Sequence, residues 1–88
     1  NKNLGKMSLL VFSLPLVEKI IVTSHLPDKA PAMLYIRNIT GQLLQQKQIE
    51  RINDQVQIEI SVRGWPAGVY LVQLTSNNQT QIKKLILS

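Results

Sequence analysis

The sequence predicts an all-β protein, because its features are those of short antiparallel strands. Apolar and polar residues alternate with a period of two, most regularly in residues 55–62, where Val56 and Ile60 lie on one face and Gln57 and Glu59 on the other. Turn-forming residues separate about seven such runs. We therefore predict an immunoglobulin-like antiparallel β-sandwich of about seven strands, for which a small barrel is the alternative.

Composition limits what this chain can be. Its 88 residues are 44% hydrophobic, which suits one domain that buries about 60% of the surface of the unfolded chain. We expect a single domain over residues 1–88, with residues 1–6 as a linker remnant. The sequence has no cysteine, which excludes disulfides, thiol chemistry and cysteine-based metal sites. The net charge of +5 comes from basic residues along the whole length, and it favours an acidic or anionic neighbour.

The first apolar run, residues 7–17, follows two lysines and superficially resembles a secretion signal. Pro15 interrupts this run and Glu18 ends it. It is also shorter than the roughly 20 apolar residues that a membrane-spanning helix needs. We interpret residues 7–12 as a buried strand, predict no membrane-spanning segment, and expect the chain to be part of a longer protein.

Further strands are predicted at residues 18–23, 33–38 and 43–49. Leu34 and Ile36 lie on one face of the second of these. A turn centred on Thr40 and Gly41 leads into the third, whose polar residues indicate an edge or a solvated hairpin arm. The proline-containing loop 24–31 is interpreted as a crossing between two sheets.

The end of the sequence predicts a β-hairpin over residues 69–87. Pro66 fixes its own φ, and Gly68 is expected at φ > 0 or packed too closely for a β-carbon. The closing strand is ambiguous, since Ile82 and Ile86 favour one buried face, whereas Leu85 and Leu87 favour the other. The residues expected to share one core are Ile58, Ile60, Val62, Tyr70, Val72 and Leu74.

Side chains for catalysis or metal binding are scarce. His25 is the only histidine, and we expect it in a solvated loop without the partners of a nucleophilic triad. The acidic residues show no suggestive pairing, and one histidine is too few for a typical metal site. We predict no enzymatic activity, no metal and no cofactor. Nucleic-acid binding is disfavoured because the basic charge is scattered and Phe12 and Tyr70 are expected in the core.

Trp65 allows two interpretations. An exposed indole on a sandwich loop can stack against a sugar ring, whereas a large apolar side chain before Pro66 can instead cap the end of the core. The second interpretation is favoured, since a sugar site normally has a second aromatic platform and surrounding polar groups.

Four elements follow one another in a fixed order. They are a strand ending at Asn38, the turn with Gly41 and the hydrophobic strand after it, residues 60–70 with Pro66, Gly68 and Tyr70, and the closing residues 83–86. This order resembles the type A C-terminal sorting domain of proteins exported by the type IX secretion system of Bacteroidetes. In that family, Asp-Leu-Thr-Gly ends a strand, a Leu-Pro-x-Gly-x-Tyr turn follows, and a Lys-Leu-rich strand closes the chain.

The sequence departs from the family pattern at three places. Residues 12–15 keep only the last proline of the family's Pro-Asn-Pro opening, Asn38 stands where Asp is usual, and Trp65 replaces the usual Leu. Asn can make the same side-chain-to-backbone turn bond as Asp, so the turn should survive. The altered opening leaves an uncleaved domain, or one on a component of the secretion machinery, as an alternative.

The resemblance implies a non-catalytic signal that directs an attached protein through the periplasm and across the outer membrane to the cell surface or the medium. The implied partners are an outer-membrane translocon or shuttle protein and a sortase-type peptidase. The terminal hairpin offers an edge for strand addition, and the residues expected to be recognised are Lys83, Lys84, Leu85 and Ile86. For the two lysines, a charged edge that prevents aggregation is the alternative role.

A different class of function also fits an isolated β-sandwich. The chain could be an accessory module of a secreted protein, either a fibronectin-like spacer or a carbohydrate-binding module. An address read at the chain terminus should not tolerate added residues, whereas an accessory module should.

Overall fold

The structure is a computed structural model that describes residues 7–26, 30–49, 55–77 and 79–88. The linker predicted at residues 1–6 lies outside these ranges, as do residues 27–29 of the predicted crossing loop. A 3-10 helix, Pro15–Val17, follows the first of seven strands. The strands are β1 (Ser8–Leu14), β2 (Lys19–His25), β3 (Ala32–Asn38), β4 (Leu43–Ile49), β5 (Gln55–Ser61), β6 (Gly68–Ser76) and β7 (Gln79–Leu87).

The strands form two antiparallel sheets, which confirms the predicted sandwich. One sheet has the order β1-β2-β5 and the other has the order β4-β3-β6-β7. The chain therefore changes sheet between β2 and β3, as the proline-containing loop predicts, and again between β4 and β5 and between β5 and β6. Strand β4 is an edge strand, also as predicted.

The core lies between the two sheets, where one face of each strand is buried. Ile20 of β2 pairs with Ile60 of β5, and Leu34 of β3 pairs with Leu74 of β6. The predicted core set is confirmed, with Ile58 partly buried against the rest. The fully or largely buried hydrophobic residues are Met7, Leu9, Ile20, Val22, Leu26, Ala32, Leu34, Ile36, Ile49, Val56, Ile60, Val62, Tyr70, Val72, Leu74, Leu85 and Leu87.

The prediction that residues 7–12 form a buried strand is wrong in part. Strand β1 buries Leu9, but Leu10 and Phe12 are 51% and 52% exposed. The physical reason is that Leu10 and Phe12 lie on the outer face of the three-stranded sheet, and no other described element covers that face. Phe12 is therefore not a core residue.

The expected position of His25 is also wrong. It is the last residue of β2 and pairs with Gln55 of β5, so it is not in the loop. Its Nδ1 lies 3.4 Å from the Gln55 side-chain nitrogen. The strand continues to this point because Ser24 is buried and its hydroxyl donates a hydrogen bond to the carbonyl oxygen of Ser8 on β1.

The ambiguity of the closing strand is resolved by packing. Leu85 and Leu87 of β7 are buried, whereas Ile82 and Ile86 are 55% and 62% exposed. Alternation along a strand then places every odd-numbered residue of β7 on the core side and every even-numbered one on the outer face.

Candidate functional site

The hairpin of β6 and β7 is the element predicted to be recognised. Its strands pair continuously from Gly68 opposite Leu87 to Ser76 opposite Gln79. Strand β7 is the outermost strand of its sheet, so no described strand forms a backbone ladder with its second side. Strand β1 of the other sheet lies in contact with it.

The start of this edge is partly covered by the beginning of β1. The backbone N–H of Met7 donates to Oε1 of Gln79 at 3.2 Å, and Nε2 of Gln81 donates to the carbonyl oxygen of Met7 at 3.5 Å. Strand β1 also contacts β7 beyond this point. Ser13 and Leu14 line one cavity with Leu87 and Ser88, so the far end of this edge has β1 close to it as well.

The structure places the two adjacent lysines of β7 on opposite faces of the sheet. Lys83 pairs with the buried Val72, so it lies on the core side of the sheet, although its side chain is exposed at the rim. Lys84 pairs with Leu71 and lies on the outer face. One protein surface in contact with the flat outer face would therefore meet Lys84 and not Lys83.

The other two residues predicted for recognition differ in the same way. Leu85 is 4% exposed and belongs to the core, so its side chain is not on the folded surface. Ile86 is exposed on the outer face beside Lys84 and pairs with Val69. Of the four predicted residues, the outer face brings together Lys84 and Ile86.

Asn38 organises the turn between β3 and β4. Its Oδ1 accepts hydrogen bonds from the backbone N–H groups of Thr40 at 3.1 Å and Gln42 at 2.9 Å, and from the Thr40 hydroxyl at 2.7 Å. Gly41 donates its backbone N–H to the Asn38 carbonyl oxygen and has φ 93°, a conformation that favours glycine. Asn38 therefore makes the turn bond expected of Asp at this position.

Pro66, Gly68 and Tyr70 form the turn that leads into β6. The Tyr70 hydroxyl donates to the carbonyl oxygen of Pro66 at 2.5 Å, while its ring is buried. A tyrosine that bonds back to the chain upstream at the start of a sandwich strand is the tyrosine corner of immunoglobulin-like folds. Gly68 has φ 148°, which confirms the predicted positive φ. Space around Gly68 is open, so glycine is favoured here by its backbone and not by close packing.

Trp65 caps the core, as the favoured interpretation predicts. Its ring is half-buried, packs against the core cluster and lies 5.3 Å from the Tyr70 ring, centroid to centroid. It also lines a cleft of about 400 Å³ between this turn and the Asn38 turn. The other aromatic residue of the cleft, Tyr70, is 4% exposed, so Trp65 has no second exposed ring beside it there.

The titratable side chains show no arrangement typical of catalysis. Across the described ranges, no three His, Asp or Glu residues lie together as metal ligands. Glu59 pairs with Lys19 and Glu18 pairs with Arg63, both at 3.3 Å. Nor does any helix within those ranges have the length and apolar character needed to cross a membrane.

The comparisons with known proteins bear on the same elements. Residues 11–88 match the family profile of the secretion system C-terminal sorting domain. The chain belongs to this family. The matched range includes all four elements that carry the resemblance, from the Asn38 turn to the closing strand β7.

The sorting domain has the fold that its sequence predicts. It is similar to a DUF3244 family protein from Bacteroides vulgatus with an immunoglobulin-like β-sandwich fold, with a TM-score of 0.63 and 12% sequence identity over 94% of this chain and 95% of that chain. At this identity the likeness concerns the fold alone. No curated protein sequence matches the chain.

Membership in the family indicates a C-terminal sorting signal of the type IX secretion system. A type IX sorting domain interacts with the secretion system and is exported to the cell surface or the medium. A sorting signal of this family indicates a non-catalytic module.

The sequence analysis did not single out Arg37, which the structure places on the outer face of the four-stranded sheet. It lies beside Leu71, and its guanidinium carbon is 5.3 Å from the centroid of the Tyr35 ring. The sequence does contain a pattern that points to this face, because residues 30–49 and 68–88 contain no Asp or Glu. The basic residues are scattered along the sequence, but the acidic ones are absent from one whole sheet.

Proposed function

We propose that this sorting domain is a non-catalytic address, carried by an attached protein through the periplasm to an outer-membrane translocon or shuttle protein. A sortase-type peptidase then removes the domain, and the attached protein remains at the surface or in the medium. The family match over residues 11–88 is the observation that carries this proposal.

The structure supports the hairpin of β6 and β7 as the part that is read. Its outer strand, β7, is at the edge of its sheet, with β1 of the other sheet in contact with it. Strand addition at this edge is one way in which a partner can bind the hairpin. The tyrosine corner and the Asn38 turn hold β6 and β3 together at one end of the sandwich, where Asn38 pairs with Tyr70. They contribute rigidity, which lowers the entropic cost of being recognised.

The test fuses the 88-residue chain to a periplasmic reporter in a host that has the type IX system. We expect the reporter at the cell surface or in the medium, and we expect it in the periplasm when the domain is omitted. Reversal of both lysines, Lys83→Glu with Lys84→Glu, should reduce export while the melting temperature holds, because both side chains are exposed.

Three outcomes separate the alternatives. A reporter that stays in the periplasm with the intact domain would contradict the sorting function and favour an accessory sandwich module. Surface reporter that retains the domain in full would favour an uncleaved variant. Release of the reporter without the domain would support removal by a peptidase.

A further inference from the structure

We infer that the sorting domain is read through the outer face of its four-stranded sheet, by a secretion-system protein whose contact surface carries carboxylates among apolar side chains. This inference rests on the proposed function and specifies the partner's chemistry. The residues that define the outer face are Tyr35, Arg37, Leu71, Ile82, Lys84 and Ile86.

Charge segregation is the first argument. The four-stranded sheet contains Arg37, Lys47, Lys83 and Lys84, and none of its strands contains an acidic residue. The three-stranded sheet and the segments next to it are different, because Lys19 and Arg63 pair there with carboxylates. One sheet thus has uncompensated positive charge, which favours a negatively charged partner surface.

Exposed apolar side chains are the second argument. Ile82 and Ile86 are more than half exposed on the outer face, on either side of Lys84. Leu43 lies 43% exposed beside Arg37 at the other edge of the sheet. Apolar groups around a few fixed charges are typical of protein interfaces, in which the apolar groups supply most of the affinity and the charges supply orientation.

Pairing places the two cations of this face in one row. Arg37 pairs with Leu71, and Leu71 pairs with Lys84. Two strand spacings separate the cations, about 10 Å. Arg37 stacks on Tyr35, and its Nη1 is shielded from solvent without a hydrogen-bond acceptor in the described part of the chain. Because Nη1 is shielded, a partner carboxylate would be attracted by the charge of the guanidinium as a whole and not by this nitrogen.

Lys83 and Lys47 have a different position and therefore a different role. Lys47 pairs with the buried Leu34 and Lys83 pairs with the buried Val72, so each lies on the core side of an edge strand. A charge on the core side of an edge strand opposes edge-to-edge pairing between copies. The two roles considered for the lysine pair thus fall to different residues. Lys83 protects the edge from pairing with other copies, and Lys84 is recognised by the partner.

This separation provides a matched pair of variants. Lys84→Glu and Lys83→Glu change neighbouring exposed residues of one strand by the same charge, but on opposite faces. In the reporter fusion, Lys84→Glu should lower export about tenfold, and Lys83→Glu less than about twofold. Lys84→Arg should restore export. Equal losses for Lys83→Glu and Lys84→Glu at unchanged melting temperatures would overturn the inference.

The apolar part of the face has its own control on the other sheet. Ile82→Ser with Ile86→Ser should lower export about tenfold. Leu10→Ser with Phe12→Ser removes comparable exposed apolar groups from the outer face of the three-stranded sheet and should leave export within about twofold of the wild type. The reverse result would place the docking surface on the three-stranded sheet.

Binding in vitro distinguishes a protein partner from an anionic membrane. The purified fusion is mixed either with detergent-solubilised type IX translocon or with phosphatidylglycerol vesicles. We expect salt-sensitive binding to the translocon that Lys84→Glu weakens about tenfold. Binding to vesicles alone, lost in Lys84→Glu, would overturn the protein partner in favour of a lipid surface.

The failures of the two proposals are distinguishable. If the wild-type domain exports no reporter, the sorting function fails, and this inference fails with it. If the wild-type domain exports the reporter and Lys84→Glu exports it equally well, only the assignment of the outer face fails.

Discussion

Asn38 and Tyr70 hold the two turns at one end of the sandwich through side-chain hydrogen bonds to the backbone. The two residues also pair across β3 and β6. Two of the family's sequence elements, distant in the sequence, therefore meet at one place. Local geometry explains both residue types. Asn38 supplies an oxygen acceptor for a backbone N–H two residues later. Tyr70 has a phenol long enough to reach a carbonyl oxygen four residues upstream.

Substitution of Asn38 tests whether the acceptor oxygen is what the turn needs. Asn38→Ala removes an oxygen that accepts two backbone N–H groups and one hydroxyl, so it should lower the free energy of unfolding by about 1–2 kcal/mol. Asn38→Asp keeps the oxygen and should stay within about 0.5 kcal/mol of the wild type. Urea denaturation followed by circular dichroism measures both, and equal losses would contradict the role of the acceptor.

Substitution of Tyr70 tests the tyrosine corner. Tyr70→Phe keeps the buried ring and its contact with Trp65, but loses the hydrogen bond to Pro66. We expect a loss of about 1–2 kcal/mol in the free energy of unfolding. Tyr35→Phe removes the same hydroxyl from the half-buried tyrosine of the outer face and should change this free energy by less than about 0.5 kcal/mol. Similar values for the two variants would contradict a specific role for the hydroxyl of Tyr70.

At the scale of elements, β1 and β7 show what alternation can and cannot predict. The period of two placed β5 correctly because its apolar residues lie on one face only. It placed β6 correctly because Gln73 and Thr75 mark the face opposite Tyr70, Val72 and Leu74. Strands β1 and β7 have apolar residues on both faces, and only strand order shows which face is covered. Arg37 was missed for the same reason, since its neighbours Leu71 and Lys84 are brought together by non-local pairing.

The edge of β7 provides the prediction at this scale. Lys83→Val replaces the charge on the core side of an edge strand with a β-branched apolar side chain, so copies of the domain should associate through β7. We expect sedimentation velocity to show concentration-dependent oligomers of Lys83→Val but not of Lys83→Arg. A monomeric Lys83→Val would argue that other features, such as the glutamine contacts with Met7, protect this edge.

At the scale of the whole molecule, the hairpin that we propose is read is also part of what holds the sandwich together. Leu85 and Leu87 of β7 are in the core, and β7 supplies one flank of β6, which is buried along its inner face. The proposed recognition and the stability of the fold therefore depend on the same strand. They separate by face, because the core side of β7 packs inward while the outer face remains exposed.

Removal of residues 83–88 should consequently affect folding before it affects recognition. The truncation takes two leucines from the core and exposes the backbone of β6 along half its length. Each buried leucine lost costs about 2–5 kcal/mol, and a small domain has only about 5–15 kcal/mol in total. We expect the cooperative thermal transition seen by circular dichroism to be lost or strongly lowered in the truncated chain, whereas Lys84→Glu keeps it. A truncated chain that melts like the wild type yet fails to export its reporter would contradict this expectation and would show that residues 83–88 are read without being needed for the fold.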